Sequence, residues 1–283
     1  MPLSISVIAI LLGIVEGLTE FLPVSSTGHL IVFDRLLGFQ SMLQNPDKAE
    51  LFEVVIQLGA ILAIGAIYRK KLMASFPPLS LKQFQPFLQT KRGQLFINLL
   101  VAFLPAAIIG FLTHNFITKY LFGPLTIGIT LLVGGIIIII IEQVTKDENR
   151  HITVESMTWK DALVIGLAQV LSLIPGTSRS AATIMGGMLH GVKRASATEF
   201  SFLLAFPTML AASVYELVKY HKLLTSDMLG MISIGFITSF VVALVVVAWF
   251  IRYVQRHPFT GFGVYRILFG ALVLALWAAR SLV

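Results

Sequence analysis

Apolar residues run in ten blocks along the chain, near 5–22, 24–38, 51–68, 95–112, 121–141, 159–174, 176–190, 200–218, 228–251 and 261–281. A helix rises about 1.5 Å per residue and a bilayer's hydrocarbon core is about 30 Å thick, so about 20 helical residues cross it. Six blocks are long and continuous enough to be full spans. The other four form two pairs, 5–22 with 24–38 and 159–174 with 176–190, each split at a proline with ionisable groups beside the break. Backbone that leaves the helix at membrane depth is tolerated only when it is buried in protein or lines a wet cavity. Each pair is therefore predicted to be a re-entrant helical hairpin that enters and leaves on the same side. The expected fold class is an all-α polytopic membrane protein of about ten helices.

The connections supply orientation. The loop from Arg69 to Gln94 holds Arg69, Lys70, Lys71, Lys82, Lys91 and Arg92 and no acid, which places it on the cytoplasmic side. Propagating from it puts 142–157, 191–199 and 252–260 inside as well, and 39–50, 113–120 and 219–227 outside. The inside loops then carry twelve Lys and Arg against four outside, with both termini outside. One hairpin plus three spans is an odd number of crossings, so the second half is inverted relative to the first. Two inverted-topology repeats are expected, about 1–141 and about 158–283, within a single integral membrane domain, 1–283. Weaker echoes agree: Glu50 and Glu199 each precede a span, and Gly123-Pro124-Leu125-Thr126 resembles His257-Pro258-Phe259-Thr260.

Composition supports a bilayer setting, with 57% hydrophobic residues, 12% charged and a mean hydropathy of +0.88. Soluble domains carry roughly a quarter charged residues. The net charge of +7 does not point to nucleic acid, because the basic residues sit in short loops between apolar runs rather than on one polar face. No cysteine is present, so neither disulfides nor thiolate metal sites are available. The N-terminus has no basic leader and no small-residue cleavage site, and residues 5–22 are expected to be mature structure.

The two breaks lie 152 residues apart, at Pro23 and Pro175, and divide the chemistry between them. Repeated, broken apolar segments point to a site between two structural halves. Glu16 and Glu20 are four apart and share a helix face, with Thr19 between them. Ionisable groups at membrane depth cost a few kcal/mol each and are usually kept for a task. The pair suits either a divalent cation or a general base whose neighbour raises its proton affinity. Two acids snorkelling to the surface are the bland alternative. Beyond Pro23, Ser25, Ser26, Thr27 and His29 offer a nucleophile, phosphate hydrogen-bond donors and a proton carrier at a helix start. Capping explains one of the serines but not His29.

The second break, Pro175-Gly176-Thr177-Ser178-Arg179-Ser180 with Thr183 one turn on, presents a guanidinium among hydroxyls. Arg suits bidentate phosphate recognition. A structural ion pair with Glu16 or Glu20 is the alternative, compatible with phosphate binding during turnover. Glu53 and Gln57, four apart in the 51–68 block, are candidates to support the first hairpin from behind. Glu216 is a weaker candidate nearer a helix end, and the remaining histidines fall at loop or helix ends.

Glu16-Gly-Leu-Thr-Glu20-Phe-Leu-Pro-Val-Ser-Ser-Thr-Gly-His29, together with Pro175-Gly-Thr-Ser-Arg179-Ser-Ala-Ala-Thr183 and Phe52-Glu53-Val-Val-Ile-Gln57-Leu-Gly59, resembles the bacterial undecaprenyl-diphosphate phosphatase family, also called the bacitracin-resistance protein family. The resemblance runs nearly end to end. It implies hydrolysis of undecaprenyl diphosphate to undecaprenyl phosphate, which recycles the carrier lipid for peptidoglycan synthesis and confers bacitracin resistance. It also implies a multi-pass protein of the bacterial inner membrane, a site facing the periplasm, and a divalent cation, Mg2+ or Ca2+. Glu16 and Glu20 match the family's Glu-rich motif, Ser26 and His29 its Ser and His, and Arg179 its arginine motif. Thr177 and Ala181 are neighbouring variants with no expected role in chemistry.

On this reading Glu16 and Glu20 hold the cation, while Ser25, Thr27, Ser178, Arg179, Ser180 and Thr183 bind phosphate. Glu20, Ser26, His29 and Arg179 are the catalytic candidates, with the attacking group open between Ser26, His29 and water. The alternative is a polyprenyl-phosphate transporter, because alternating-access carriers use inverted repeats with broken helices. A carrier has no need of the Ser26 and His29 cluster. An intramembrane serine protease has no need of two carboxylates and an arginine, and the second histidine of acid-phosphatase-type enzymes is absent at their spacing. Homo-oligomer formation, metal identity and accepted chain length stay open.

Overall fold

The computed structural model describes residues 3–78, 80–145 and 150–279. Helices α1 Ile5–Thr19, α2 Ser26–Leu37, α3 Phe39–Leu43, α4 Pro46–Ile67, α5 Arg69–Ser75, α6 Leu81–Leu88, α7 Lys91–Tyr120 and α8 Pro124–Val144 make up the first half. The second holds α9 Trp159–Val170, α10 Arg179–Leu189, α11 Arg194–Tyr220, α12 Ser226–Tyr253 and α13 Thr260–Ala278. Among the described residues there is no strand beyond one isolated bridge, between Ile152 and Val192.

Ten of these helices fall on the ten apolar blocks. The other three, α3, α5 and α6, lie in the connections, where polar sequence with no apolar run conceals a short helix. Lys146, counted among the inside charges, and residues 280–281 of the last block lie outside the described residues.

Among the described residues six helices are long and apolar enough to cross a membrane: α4, α7, α8, α11, α12 and α13. The chain is a multi-pass, all-helical membrane protein. Its lipid-facing surface is apolar by necessity, with Ile129, Val133, Ile136 and Ile140 of α8 and Val241 and Val245 of α12 exposed. By contrast α1, α2, α9 and α10 have 15, 12, 12 and 11 residues. At about 1.5 Å per residue none reaches the roughly 30 Å of a hydrocarbon core.

Packing pairs α1 with α12, α9 with α7, α4 with both α11 and α12, and α8 with α13. Lipid tails are as apolar as leucine, so helices in a bilayer associate through close contact at small residues. A Cβ on Gly17 of α1 would lie 2.7 Å from the Ser239 carbonyl oxygen of α12, and one on Gly166 of α9 would lie 2.5 Å from that of Ala102 in α7. Both obstacles are backbone, which has no rotamer to yield. Gly17→Val and Gly166→Val are each expected to lower stability by about 2 kcal/mol or more, read as a lower melting temperature in detergent. Gly230→Ala, which meets nothing within 4 Å, should leave it unchanged.

The largest buried cluster seats the first break. Phe21 is fully buried and meets Phe202 of α11 edge to face, with ring centroids 5.4 Å apart. At the basic rim, Arg194 donates two bonds to Glu142, at 3.0 and 2.9 Å, tying the start of α11 to the end of α8.

Candidate active site

Both breaks have the same local construction. After α1 the chain turns through residues 20–24, and Ser25, at φ 71°, caps α2 by accepting the Gly28 N–H at 3.4 Å. After α9 a 3-10 turn at Leu171–Leu173 leads through Gly176, at φ 87°, to Ser178, at φ 72°. Ser178 caps α10 by accepting the Ala181 N–H at 3.3 Å. Left-handed backbone at a residue other than glycine costs about 1–3 kcal/mol and gathers at functional sites. Gly176 is needed for space as well as conformation, since a Cβ there would lie 2.9 Å from the Ile127 Cα.

The two loops touch. Ser180 Oγ donates to the Leu22 carbonyl at 2.9 Å. Glu20 bridges the halves: Oε2 accepts from Ser26 Oγ at 2.6 Å, and Oε1 accepts from Arg179 Nη2 at 3.2 Å. Arg179 also donates through Nη1 to the Ser201 carbonyl at 3.0 Å and lies 5.7 Å above the Phe21 ring. Thr183 secures this arrangement from below, donating to the Arg179 carbonyl at 2.9 Å and meeting Ser201 Oγ at 2.7 Å.

A cavity of about 210 Å3 opens between the loops, lined by Glu20, Ser25, Ser26, Thr27, Gln57, Ser178, Arg179 and Thr208 among others. A larger one, of about 670 Å3, shares the walls Thr27, Ser172 and Pro175 and extends past Asp34, Glu50, Glu53, His114 and Thr118. A carboxylate, several hydroxyls and a guanidinium thus face one small space between the two loops. That arrangement can bind an anionic headgroup and move a proton.

Other sequence candidates stand off this wall. Ser180 and Thr183 hold the second loop in place, and Glu53 lines the larger cavity. Glu16 is fully buried, neither of its oxygens accepts from an N–H or O–H donor by geometry, and it lies beside Glu20 and within electrostatic range of Glu53. His29 does not reach Ser26. Its Nδ1 lies 2.7 Å from the Ser25 carbonyl, which only accepts, so Nδ1 carries the proton. Nε2 lies 2.6 Å from the Tyr265 hydroxyl, and the ring stacks on Phe269 at 4.2 Å.

The structure adds residues that the motifs did not reveal. Tyr265 orients His29, Thr130 donates to the Pro175 carbonyl at 2.7 Å, and Arg266 is buried against both loops. Arg266 carried a legible signal, a charge inside the block 261–281, of the kind that marks Glu16 and Glu20. Tyr265 and Thr130 carried none, being ordinary residues of apolar spans.

A family model described as bacitracin resistance protein BacA matches residues 9–272 of this chain. A protein of Nitrosomonas europaea named undecaprenyl-diphosphatase is 50% identical over 266 residues, covering 94% of this chain and 92% of the relative. A namesake from Dechloromonas aromatica is 48% identical over 270 residues, with 95% and 93% covered. Undecaprenyl-diphosphatase 2 of Rhodospirillum rubrum is 47% identical over 275 residues, with 97% and 96% covered. Matched across nearly its whole length, this chain belongs to the bacitracin resistance protein BacA family.

Proposed function

We infer that this chain is an undecaprenyl-diphosphatase, hydrolysing undecaprenyl diphosphate to undecaprenyl phosphate and phosphate. It thereby returns the carrier lipid to peptidoglycan synthesis and confers resistance to bacitracin. Relatives of that name align across the chain, and the observation that carries the site is the bridge Ser26–Glu20–Arg179 at one polar cavity.

Architecture supports the reading. Two inverted-topology repeats, each a re-entrant hairpin plus three spans, explain why α1 packs on α12 while α9 packs on α7. The first arm of each hairpin meets the second span of the other repeat. The first spans, α4 and α11, pair with each other, as do the last, α8 and α13. The matching backbone of Ser25 and Ser178 has the same origin. The larger cavity is walled by Gln40, Pro46, His114 and Thr118, from the ends assigned outside by charge, so the site faces the periplasmic side of the inner membrane.

Phosphoryl transfer needs positioning and charge neutralisation more than covalent chemistry. Arg179 grips the terminal phosphate alongside Ser25, Thr27 and Ser178. Ser26 Oγ attacks phosphorus and passes its proton to Glu20, the carboxylate that already accepts it; undecaprenyl phosphate leaves, and water then cleaves the seryl phosphate. His29 holds the Ser25 carbonyl and so the turn that presents Ser26. Gln57 lies on the cavity wall, and Glu53 on the wall of the approach.

The residues fit a divalent cation, Mg2+ or Ca2+. Glu16 offers two buried oxygens that accept from no N–H or O–H donor by geometry, and the Glu20 carboxylate lies beside it. Among the described residues no three His, Cys, Asp or Glu gather to form a cage. Mg2+ is commonly held by one or two carboxylates together with water and substrate phosphate. When bound, the cation would neutralise phosphate charge.

The test is phosphate release from a C55 diphosphate by purified protein in detergent. Chelator is expected to reduce release at least tenfold, with Mg2+ or Ca2+ restoring it. Release unaffected by chelator would remove the cation from the reading. A polyprenyl-phosphate carrier would use the same repeats, and protein that releases no phosphate would favour it.

A further inference from the structure

Arg266 lies outside both broken motifs, yet it is fully buried. Its Nη1 donates to the carbonyls of Pro23 at 3.2 Å and Thr177 at 2.9 Å. Nη2 donates to those of Thr130 and Gly176, both at 3.1 Å, and Nε to that of Leu131 at 3.4 Å. A guanidinium has five N–H groups, and all are used. Pro23 belongs to the first loop, Gly176 and Thr177 to the second, and Thr130 and Leu131 to α8. A single side chain therefore joins three elements that no continuous helix connects.

Two further observations separate this arrangement from ordinary packing. Room for it is made by Gly134 of α8, where a Cβ would collide with Arg266 Nη2. Its partners are all neutral carbonyls, and none of the ion pairs among the described residues includes it. Burying a charge without a counter-charge is costly. A hydrophobic residue would fill the space at less cost, so the donors themselves must matter.

We propose that Arg266 is a positioning residue of the phosphatase site, setting the separation and rotation of the two loop tips so that Ser26 and Glu20 meet Arg179 and Ser178 across the cavity. The proposal rests on the functional reading above. The Thr177–Ser178 peptide is planar and trans, so a carbonyl turned toward Arg266 turns the Ser178 N–H the opposite way. Ser178 itself lines the cavity. Lys offers three donors from one point and cannot span both loops and α8 as a planar fork does.

Three variants test this: Arg266→Lys, Arg266→Gln and Gly134→Ala, the last displacing the guanidinium without removing it. Steady-state hydrolysis of a prenyl diphosphate and melting in detergent are measured on each. Misplacing reacting groups by about 1 Å costs about 100-fold. We expect kcat to fall about 100-fold in Arg266→Lys and Arg266→Gln and at least tenfold in Gly134→Ala, with KM within about threefold. Arg266→Lys should recover melting temperature relative to Arg266→Gln without recovering kcat.

Wild-type kcat in Arg266→Lys would overturn the proposal, since charge alone would then suffice. So would variants that melt earlier but turn over normally, the signature of a purely structural role. If the Arg266 variants do not fold, Gly134→Ala decides alone: normal kcat overturns, and a lowered kcat supports. Phosphate release by the wild type is the condition for the functional reading, so that reading fails on wild-type protein and this one fails on the variants.

Discussion

Arg179→Ala is expected to lower kcat/KM for a C55 diphosphate by about 1,000-fold or more. Removing one preorganised donor from a site where charge develops costs about 100- to 1,000-fold. Arg179 offers a charged fork rather than one neutral donor, and its side chain is only 11% exposed, so water replaces little of it. The Glu20 carboxylate that it neutralises would also be left buried without a counter-charge. Part of the effect will therefore appear as lost stability, measured separately by melting in detergent. Arg179→Lys should recover less than a tenth of the activity, because a lysine cannot bond Glu20 and the Ser201 carbonyl while also forking a phosphate. Turnover within tenfold of wild type in Arg179→Ala would mean that the guanidinium is a structural partner of Glu20 and nothing more.

Glu20→Gln is the second large effect, and it separates charge from shape. The amide fills the same space and can still accept from Ser26, but it cannot take the Ser26 proton. General-base catalysis is worth about 100- to 10,000-fold, so kcat should fall into that range with KM changed far less. Glu20→Ala is expected to be worse for the fold, since breaking a buried pair by removing one partner costs about 3–5 kcal/mol. Rapid-quench labelling of the same variants locates the step: wild type should carry phosphate on Ser26, and Glu20→Gln should not. A Glu20→Gln enzyme with normal kcat would strike Glu20 from the reaction.

The fate of particular residues shows why some of the site was readable. Glu16, Glu20 and Arg179 announced themselves because a charge in an apolar run needs a reason. Arg179 meets Glu20 as the ion-pair alternative anticipated, and that same contact faces the cavity. The hydroxyl cluster was legible as a set, but its division of labour was not. Ser25 and Ser178 turn out to cap helices through left-handed backbone, while Ser26 takes the carboxylate. His29 was grouped with Ser26 by spacing, yet its ring is held by Tyr265, 236 positions away in sequence. No pattern within residues 13–29 could have shown that.

By itself the sequence determined the solvent, the six spans, the two interrupted segments and the residues of unusual cost within them. These follow from one-dimensional constraints, because hydrocarbon penalises every unpaired backbone group and every charge wherever the chain later goes. Only the tertiary structure decided that α1 lies on α12 and α9 on α7, that Glu20 bridges Ser26 and Arg179, and that Arg266 gathers carbonyls from three elements. These depend on helix faces meeting at small residues and on loop carbonyls turned toward one guanidinium, and such relations exist only between segments far apart in the chain.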